Sequence, residues 1–154
     1  MPDQNVSTSR QVGQPGGNVV LDVFVLNQRI GALLESVLAG HGITPPEYAV
    51  YSQLDVAPLT PSQLSRRLGV KASTLSGHLN ALQRRGHTER VVDPQDRRSY
   101  RLELTTDGRQ LLKQCQPLIR QVVQRLNRRL EADVADVRAV LAAIDEAAAQ
   151  VTPS

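Results

Sequence analysis

The sequence contains little of what several classes of protein require. Among its 154 residues there are one cysteine, one phenylalanine and no tryptophan. One cysteine excludes a disulfide framework and a thiolate metal cluster within one chain, and so few rings argue against the stacking of single-stranded nucleic acid. No apolar run approaches the roughly 20 residues of a membrane span, and the first 17 residues lack a basic-then-apolar secretion signal. We expect a soluble, intracellular protein that does not interact with membranes.

Motifs for catalysis and metal binding are also missing. The three histidines, His41, His78 and His87, show neither an HExxH motif nor an i,i+4 pair, so no metal site is expected within one chain. There is no Ser/His/Asp grouping at a recognisable elbow, no Gly-rich phosphate loop and no motif with paired carboxylates. We therefore expect a protein that is not an enzyme and that needs no cofactor.

The charge is unevenly distributed along the chain. Residues 60–130 hold 15 of the 18 Lys and Arg residues but 5 of the 15 acids, so both flanking segments are acidic. Residues 71–88 contain no acid. Such clustering of positive charge is typical of a surface that binds a polyanion. The alternative is a solvated face whose charges pair with acidic neighbours.

The length fits one domain, and the residue pattern predicts helix-helix-helix-helix-hairpin-helix-helix. We expect residues 1–17 to be a flexible tail and 18–154 a single domain, mainly α with a small β-hairpin. Capping signals begin the second and third helices at Thr44 and Thr60. The strands are predicted at 89–92 and 99–105, and Arg101-Leu102-Glu103-Leu104 alternates strictly. The fifth helix contains Pro117, which should kink it, and Glu131-Ala132-Asp133 should separate it from the sixth.

Two short helices joined by Gly69-Val70-Lys71 and followed by a hairpin indicate a winged helix-turn-helix. The second short helix, 72–85, should bury Leu75, Leu79 and Leu82 and expose small polar groups that can enter the major groove of DNA. The predicted base-reading residues are Ser73, Thr74, Ser76, Gly77, His78, Asn80 and Arg84. Weaker candidates for phosphate contacts are Thr60, Ser62, Arg66 and Lys71.

The predicted hairpin tip, DPQDRR, is charged. Arg97 and Arg98 lie at this tip, and Arg101 follows in the second strand. A cationic tip on a stiff ribbon can reach the narrow, negative minor groove beside the helix. The sequence therefore predicts a second DNA contact at the wing.

From about Gly42 to Leu112 the sequence resembles the MarR family of bacterial winged-helix regulators. The resemblance covers GITPPEYAVYSQL, LTPSQLSRRLGVKASTLSGHLNALQRRG and DPQDRRSYRLELTTDG. The last segment fits the family pattern D-x-R followed by L-x-L-T-x-x-G, in which Asp96 is the aspartate and Arg98 the arginine. The resemblance implies that Arg98 enters the minor groove and that Asp96 holds it.

The same resemblance implies a homodimer that binds a pseudo-palindromic operator, most often as a cytoplasmic, nucleoid-associated repressor. Residues 44–106 would form the DNA-binding part, and 18–41 and 107–151 the dimerisation helices. Apolar stripes over 111–130 and 134–148, more than a winged domain needs to cover itself, independently favour a dimer. Many members respond to a small molecule or an oxidant, so an effector is expected. A winged helix that binds protein instead of DNA is the alternative, but its exposed helix face would be apolar or acidic.

Several residues have two interpretations. Tyr48 and Tyr51 lie where the family has a ligand cleft, although packing in the core is the simpler role for both. Cys115 could sense oxidants, but it lies on an apolar stripe, which favours a buried structural cysteine. Gly86-His87-Thr88 departs from the resemblance, because the family usually has an apolar pair after the glycine. This departure could alter the packing between helix and wing.

Overall fold

A computed structural model describes residues 12–92 and 100–151 of the chain. The helices are α1 (Val19–Leu38), α2 (Pro45–Val56), α3 (Pro61–Leu68), α4 (Ala72–Arg84), α5 (Thr106–Arg129) and α6 (Val134–Val151), and the strands are β1 (Thr88–Val92) and β2 (Tyr100–Leu104). A short 3-10 turn, Ala39–His41, follows α1. The predicted element order and the mainly helical class with a small hairpin are confirmed.

Side chains at the helix starts explain why α2 and α3 begin where they do. Thr44 accepts a hydrogen bond from the amide of Glu47, and the Glu47 side chain accepts one from the amide of Thr44. Thr60 and Gln63 make the same reciprocal pair at α3. Each capping box satisfies two amides that have no partner within the helix. Both starts were predicted from the sequence.

The turn between α3 and α4 depends on Gly69. Its φ is 63°, a left-handed conformation that glycine adopts without steric cost. The amide of Val70 donates to the Ser65 carbonyl at 3.1 Å, and the Ser65 hydroxyl donates to the Val70 carbonyl at 2.6 Å. These bonds close the α3 end and set the start of α4.

The hairpin is antiparallel and pairs Thr88 with Leu104 and Val92 with Tyr100. Its second strand has a further neighbour, because Leu59 and Leu102 exchange two backbone hydrogen bonds of 3.2 and 2.9 Å. Leu102 and Leu104 are buried, as the alternation predicted. The hairpin is thereby attached along β2 to the segment that links α2 and α3.

The chain divides into two compact units, residues 1–115 and 116–154. The first unit contains the buried core, made of Leu38, Ile43, Val50, Tyr51, Leu54, Leu59, Leu64, Leu75, Leu79, Leu82, Leu102, Leu104, Leu112 and Cys115. The second contains the end of α5 and all of α6, and Asp133 caps α6 by accepting from the amide of Ala135 at 2.7 Å. The predicted break between these helices is confirmed, and Pro117 lies inside α5.

The structure describes the last residues of the predicted N-terminal tail. Residues 1–11 lie outside the described part of the chain, whereas residues 12–17 form turns. The amide of Gly13 donates to Oδ1 of Asp22 at 3.1 Å. This contact attaches the end of the predicted tail to the first turn of α1.

Large apolar side chains remain exposed on α1. They include Val19, Val20, Phe24, Leu26 and Leu33, of which Val20 is 80% and Phe24 59% exposed. Val19–His41 is long and apolar enough to cross a membrane by length and composition alone. The sequence shows no uninterrupted apolar run of this length, because Asp22, Arg29 and Glu35 interrupt the stretch.

Candidate nucleic-acid interface

The outer face of α4 is polar and exposed. Leu75, Leu79 and Leu82 are buried as predicted, which turns the other positions of the helix outward. Ser73, Thr74, Ser76, Gly77, Asn80 and Arg84 are exposed, and His78 is half-buried. The predicted base-reading residues thus share one accessible helix surface, hereafter the reading face.

The candidates for phosphate contacts lie on α3 and at the start of α4. Ser62, Arg66 and Lys71 are exposed. Ser62 and Arg66 also line a cleft between the two helices, together with Ser76 of the reading face. Thr60 is half-buried, and its hydroxyl oxygen caps α3. That role uses Thr60 as an acceptor, whereas a phosphate contact would use its hydroxyl proton.

The predicted wing tip, with Asp96, Arg97 and Arg98, lies outside the described residues. The described strands show a contact that the sequence analysis missed. The Arg90 guanidinium carbon lies 4.4 Å from the centroid of the Tyr100 ring, a distance at which a cation is attracted to the ring face. Arg90 and Tyr100 come from opposite strands, so this contact joins β1 to β2 beside the tip.

Behind the reading face, a buried acid is neutralised. Arg85, directly after α4, places Nη1 3.2 Å from Oε1 of Glu47, whose side chain is 7% exposed. Burial opposes the charge of Arg85, but its hydrogen bond to Glu47 and the charge of Glu47 outweigh this, so the pKa of Arg85 is raised. The buried carboxylate of Glu47 is therefore paired with a cation at the end of α4.

Tyr51 and His87 form a second polar pair in the same region. Tyr51 is fully buried, and its Oη lies 2.6 Å from Nδ1 of His87. Burial raises the pKa of Tyr51, so its hydroxyl keeps its proton. This geometry supports the core-packing interpretation of Tyr51 over a place in a ligand cleft, whereas Tyr48 is half-buried.

Arg85 and His87 were not among the predicted site residues. In the sequence, this region differs from the family only in that no apolar pair follows Gly86. The pairing of His87 with Tyr51 gives one of the two polar residues after Gly86 a role, because the buried hydroxyl of Tyr51 gains a hydrogen-bond partner. The available signal in the sequence was that His87 and Thr88 are polar at two positions that are usually apolar in the family.

The structure also bears on the reactivity of Cys115 and on metal binding. Cys115 is fully buried, and burial raises the pKa of its thiol, which disfavours the reactive thiolate. This supports the structural interpretation over oxidant sensing. Within residues 12–92 and 100–151, no three His, Cys, Asp or Glu side chains are grouped to hold a metal ion.

Sequence comparison places this fold among known regulators. The model of the MarR family matches residues 41–99. The multiple antibiotic resistance protein MarR of Escherichia coli (strain K12) is 32% identical over 113 residues, which are 72% of this chain and 78% of that protein. The HTH-type transcriptional repressor YetL of Bacillus subtilis (strain 168) is 30% identical over 63% of this chain and 60% of its own length.

Solved structures agree with this assignment. Wild-type MarR from E. coli in its apo form superposes with a TM-score of 0.69 at 29% identity, over 83% of this chain and 97% of the other. A cysteine-to-serine mutant of MarR complexed with operator DNA has a TM-score of 0.72 at 30% identity, over 79% and 89%. The M. tuberculosis regulator MosR with DNA shares the fold, with a TM-score of 0.78 at 24% identity over 89% of this chain and all of the other. The chain therefore belongs to the MarR family.

Proposed function

We propose that the protein is a transcriptional repressor that binds a pseudo-palindromic double-stranded DNA operator as a homodimer. The reading face carries this proposal: it is exposed, rich in small polar groups and free of acids over residues 71–88. The named relatives include a transcriptional repressor and a MarR structure bound to operator DNA. A winged helix used for protein contact would favour apolar or acidic groups at these positions.

The proposed binding mode follows from the sizes and charges of the elements. α4 is narrow enough to enter the major groove, which is about 12 Å wide. There, the amide of Asn80 can pair with adenine, and the hydroxyls of Ser73 and Ser76 can serve several bases. Ser62, Arg66 and Lys71 would contact phosphates and fix the position of the helix. Arg98, held by Asp96, would enter the minor groove.

In this proposal, the regulator has no catalytic role and acts in the cytoplasm, at the nucleoid. A small-molecule effector would change DNA affinity by binding two conformations of the protein unequally. Tyr48 remains a candidate for the wall of its site because its side chain is half-buried. Calorimetric titration of a small-molecule library tests this assignment: a compound that binds the wild type should bind Tyr48→Ala more weakly, and equal binding would remove Tyr48 from the site.

Homodimerisation is supported by the exposed apolar side chains of three helices. Besides those of α1, they include Val123 and Leu126 of α5 and Val140 and Leu141 of α6. Exposed apolar surface on this scale marks an interaction site. We expect light scattering to give the mass of a dimer at micromolar concentration, and a purely monomeric protein would contradict the proposal.

Base reading and wing binding should be separable by mutation. Asn80→Ala is expected to relax the preference at one operator position by about 1–3 kcal/mol. Arg98→Ala is expected to weaken binding to every operator variant by about 1.5–3 kcal/mol. A cation in the minor groove interacts with the shape and the negative potential of the groove more than with one base. The measurement is the affinity of each variant for a panel of single-base operator changes at fixed salt.

Selection from a random-sequence DNA library with the wild-type protein supplies the operator for this panel. Both variants should keep the dimer mass and the wild-type melting temperature, since Asn80 is exposed and Arg98 is predicted at a hairpin tip, and such positions contribute little to the core. Wild-type affinity in Arg98→Ala would remove the wing from the mechanism. A wild-type protein that enriches no sequence would contradict the proposed function as a whole.

A further inference from the structure

Two pairs of polar side chains link the end of α4 and the turn after it to α2. Glu47 uses both carboxylate oxygens: Oε2 accepts from the amide of Thr44 at 2.9 Å, and Oε1 lies 3.2 Å from Nη1 of Arg85. Nη2 of Arg85 donates to the carbonyl of Gly42 at 3.0 Å. Two residues later, Nδ1 of His87 meets Oη of Tyr51 at 2.6 Å. We call Glu47, Tyr51, Arg85 and His87 the polar clamp.

The hydrogen bonds in the clamp have a direction. Tyr51 is fully buried, and burial raises the pKa of its hydroxyl. The hydroxyl therefore keeps its proton, and a buried hydroxyl proton needs an acceptor. The acceptor within reach is Nδ1 of His87 at 2.6 Å. This order requires the neutral His87 ring to carry its proton on Nε2.

The clamp holds a turn that α4 and the hairpin share. α4 ends at Arg84, and β1 begins at Thr88, directly after His87. The other side of the turn is bound to the end of the hairpin: the amide of Thr105 donates to the carbonyl of His87 at 3.0 Å, and its hydroxyl donates to the carbonyl of Gly86 at 2.8 Å. A shift of this turn would move the reading helix and the wing relative to each other.

We propose that the polar clamp positions the wing relative to the reading face, with Tyr51 and His87 as positioning residues. Apolar side chains at 51 and 87 could fill the same space, but they would accept a range of orientations. Hydrogen bonds require a narrow range of distances and angles, and α2 itself is anchored by its capping box. The effect on DNA binding rests on the proposed function, whereas the clamp is a property of the protein without DNA.

The first test uses the protein without DNA. Tyr51→Phe keeps the ring and removes the donor. We expect amide hydrogen exchange in β1 and β2 to accelerate about 3–10-fold, the effect of one lost hydrogen bond, while the buried amides of α5 exchange at their wild-type rates. Tyr48→Phe, which removes a hydroxyl from the same helix three positions earlier, is the matched control and should leave the hairpin unchanged.

Substitutions at His87 test the contact, and the tautomer of its ring tests the direction of the bond. His87→Asn keeps an acceptor near the position of Nδ1 and should restore slow exchange in the hairpin, whereas His87→Leu should not. The double variant Tyr51→Phe/His87→Leu should show no further acceleration beyond either single change, because both remove the same contact. Nitrogen NMR of the wild-type ring should show the proton on Nε2, and a ring protonated on Nδ1 would overturn the assignment.

The second test measures affinity for the selected operator at fixed salt. Tyr51→Phe and His87→Leu should weaken binding about 3–10-fold, and His87→Asn should recover most of it. Equal hairpin exchange in Tyr51→Phe and wild type would overturn the clamp, as would equal acceleration of all amides, which indicates only a loss of global stability. A wild-type protein that binds no DNA contradicts the proposed function instead, and the exchange rates still decide the clamp.

Discussion

Gly108→Ala is expected to destabilise the protein by about 3 kcal/mol or more and to lower its melting temperature by roughly 10 °C. A Cβ at this position would lie 2.3 Å from the carbonyl oxygen of His87. That oxygen accepts from the amide of Thr105, so it cannot retreat without loss of a hydrogen bond at the end of the hairpin. Thermal unfolding followed by circular dichroism measures the effect.

Gly77→Ala is the matched control for this substitution. Gly77 is also inside a helix, but a Cβ there would meet no atom within 4 Å. Alanine is the better helix former by about 1 kcal/mol, so this variant should melt at or above the wild-type temperature. A Gly108→Ala protein that melts within about 2 °C of wild type would show that the close approach relaxes easily.

Raising monovalent salt from about 50 to 200 mM is expected to weaken operator binding by about 10³–10⁵-fold. This follows if the dimer neutralises about 6–10 phosphates, each of which contributes about −0.9 to the slope of log K against log salt. The basic segment 60–130 supplies enough Lys and Arg for such contacts. Fluorescence anisotropy with labelled operator at several salt concentrations gives the slope directly.

Single substitutions show which cations contribute. Arg66→Ala and Lys71→Ala should each reduce the slope by about 0.9 per protomer if they contact phosphate. Arg138→Ala is the control, because this exposed residue of α6 lies outside the basic segment. A nearly flat titration of the wild type would mean that the basic segment is not the contact surface.

Local signals predicted most of the fold. The capping residues Thr44 and Thr60, the stop at Gly69 and the alternation around Leu102 each act within a few residues of chain, so the sequence states them directly. The buried leucines of α4 follow from helical periodicity, and with them the exposure of the reading face. The assignments of Asp96, Arg97 and Arg98 at the wing tip stay predictions.

Contacts between distant residues were not predictable in the same way. Tyr51 and His87 are 36 positions apart in the sequence, and Arg85 donates a hydrogen bond to the carbonyl of Gly42, which is 43 positions away. Which side chains meet over such separations depends on how α2 and α4 pack, and a single sequence contains no record of that. The Leu59–Leu102 pairing was missed for the same reason, since one residue on each side gives no strand pattern.

The exposed apolar surface of α1 has a consequence for synthesis of the chain. α1 precedes every other described helix and strand, so it leaves the ribosome first. At about 5–20 residues per second, the rest of the chain follows over roughly 5–25 seconds. Once outside the ribosome, Val20 and Phe24, exposed even in the folded chain, are accessible to chaperones and to other nascent chains. Asp22, Arg29 and Glu35 interrupt the apolar sequence of this helix, and charges beside apolar residues oppose association between chains.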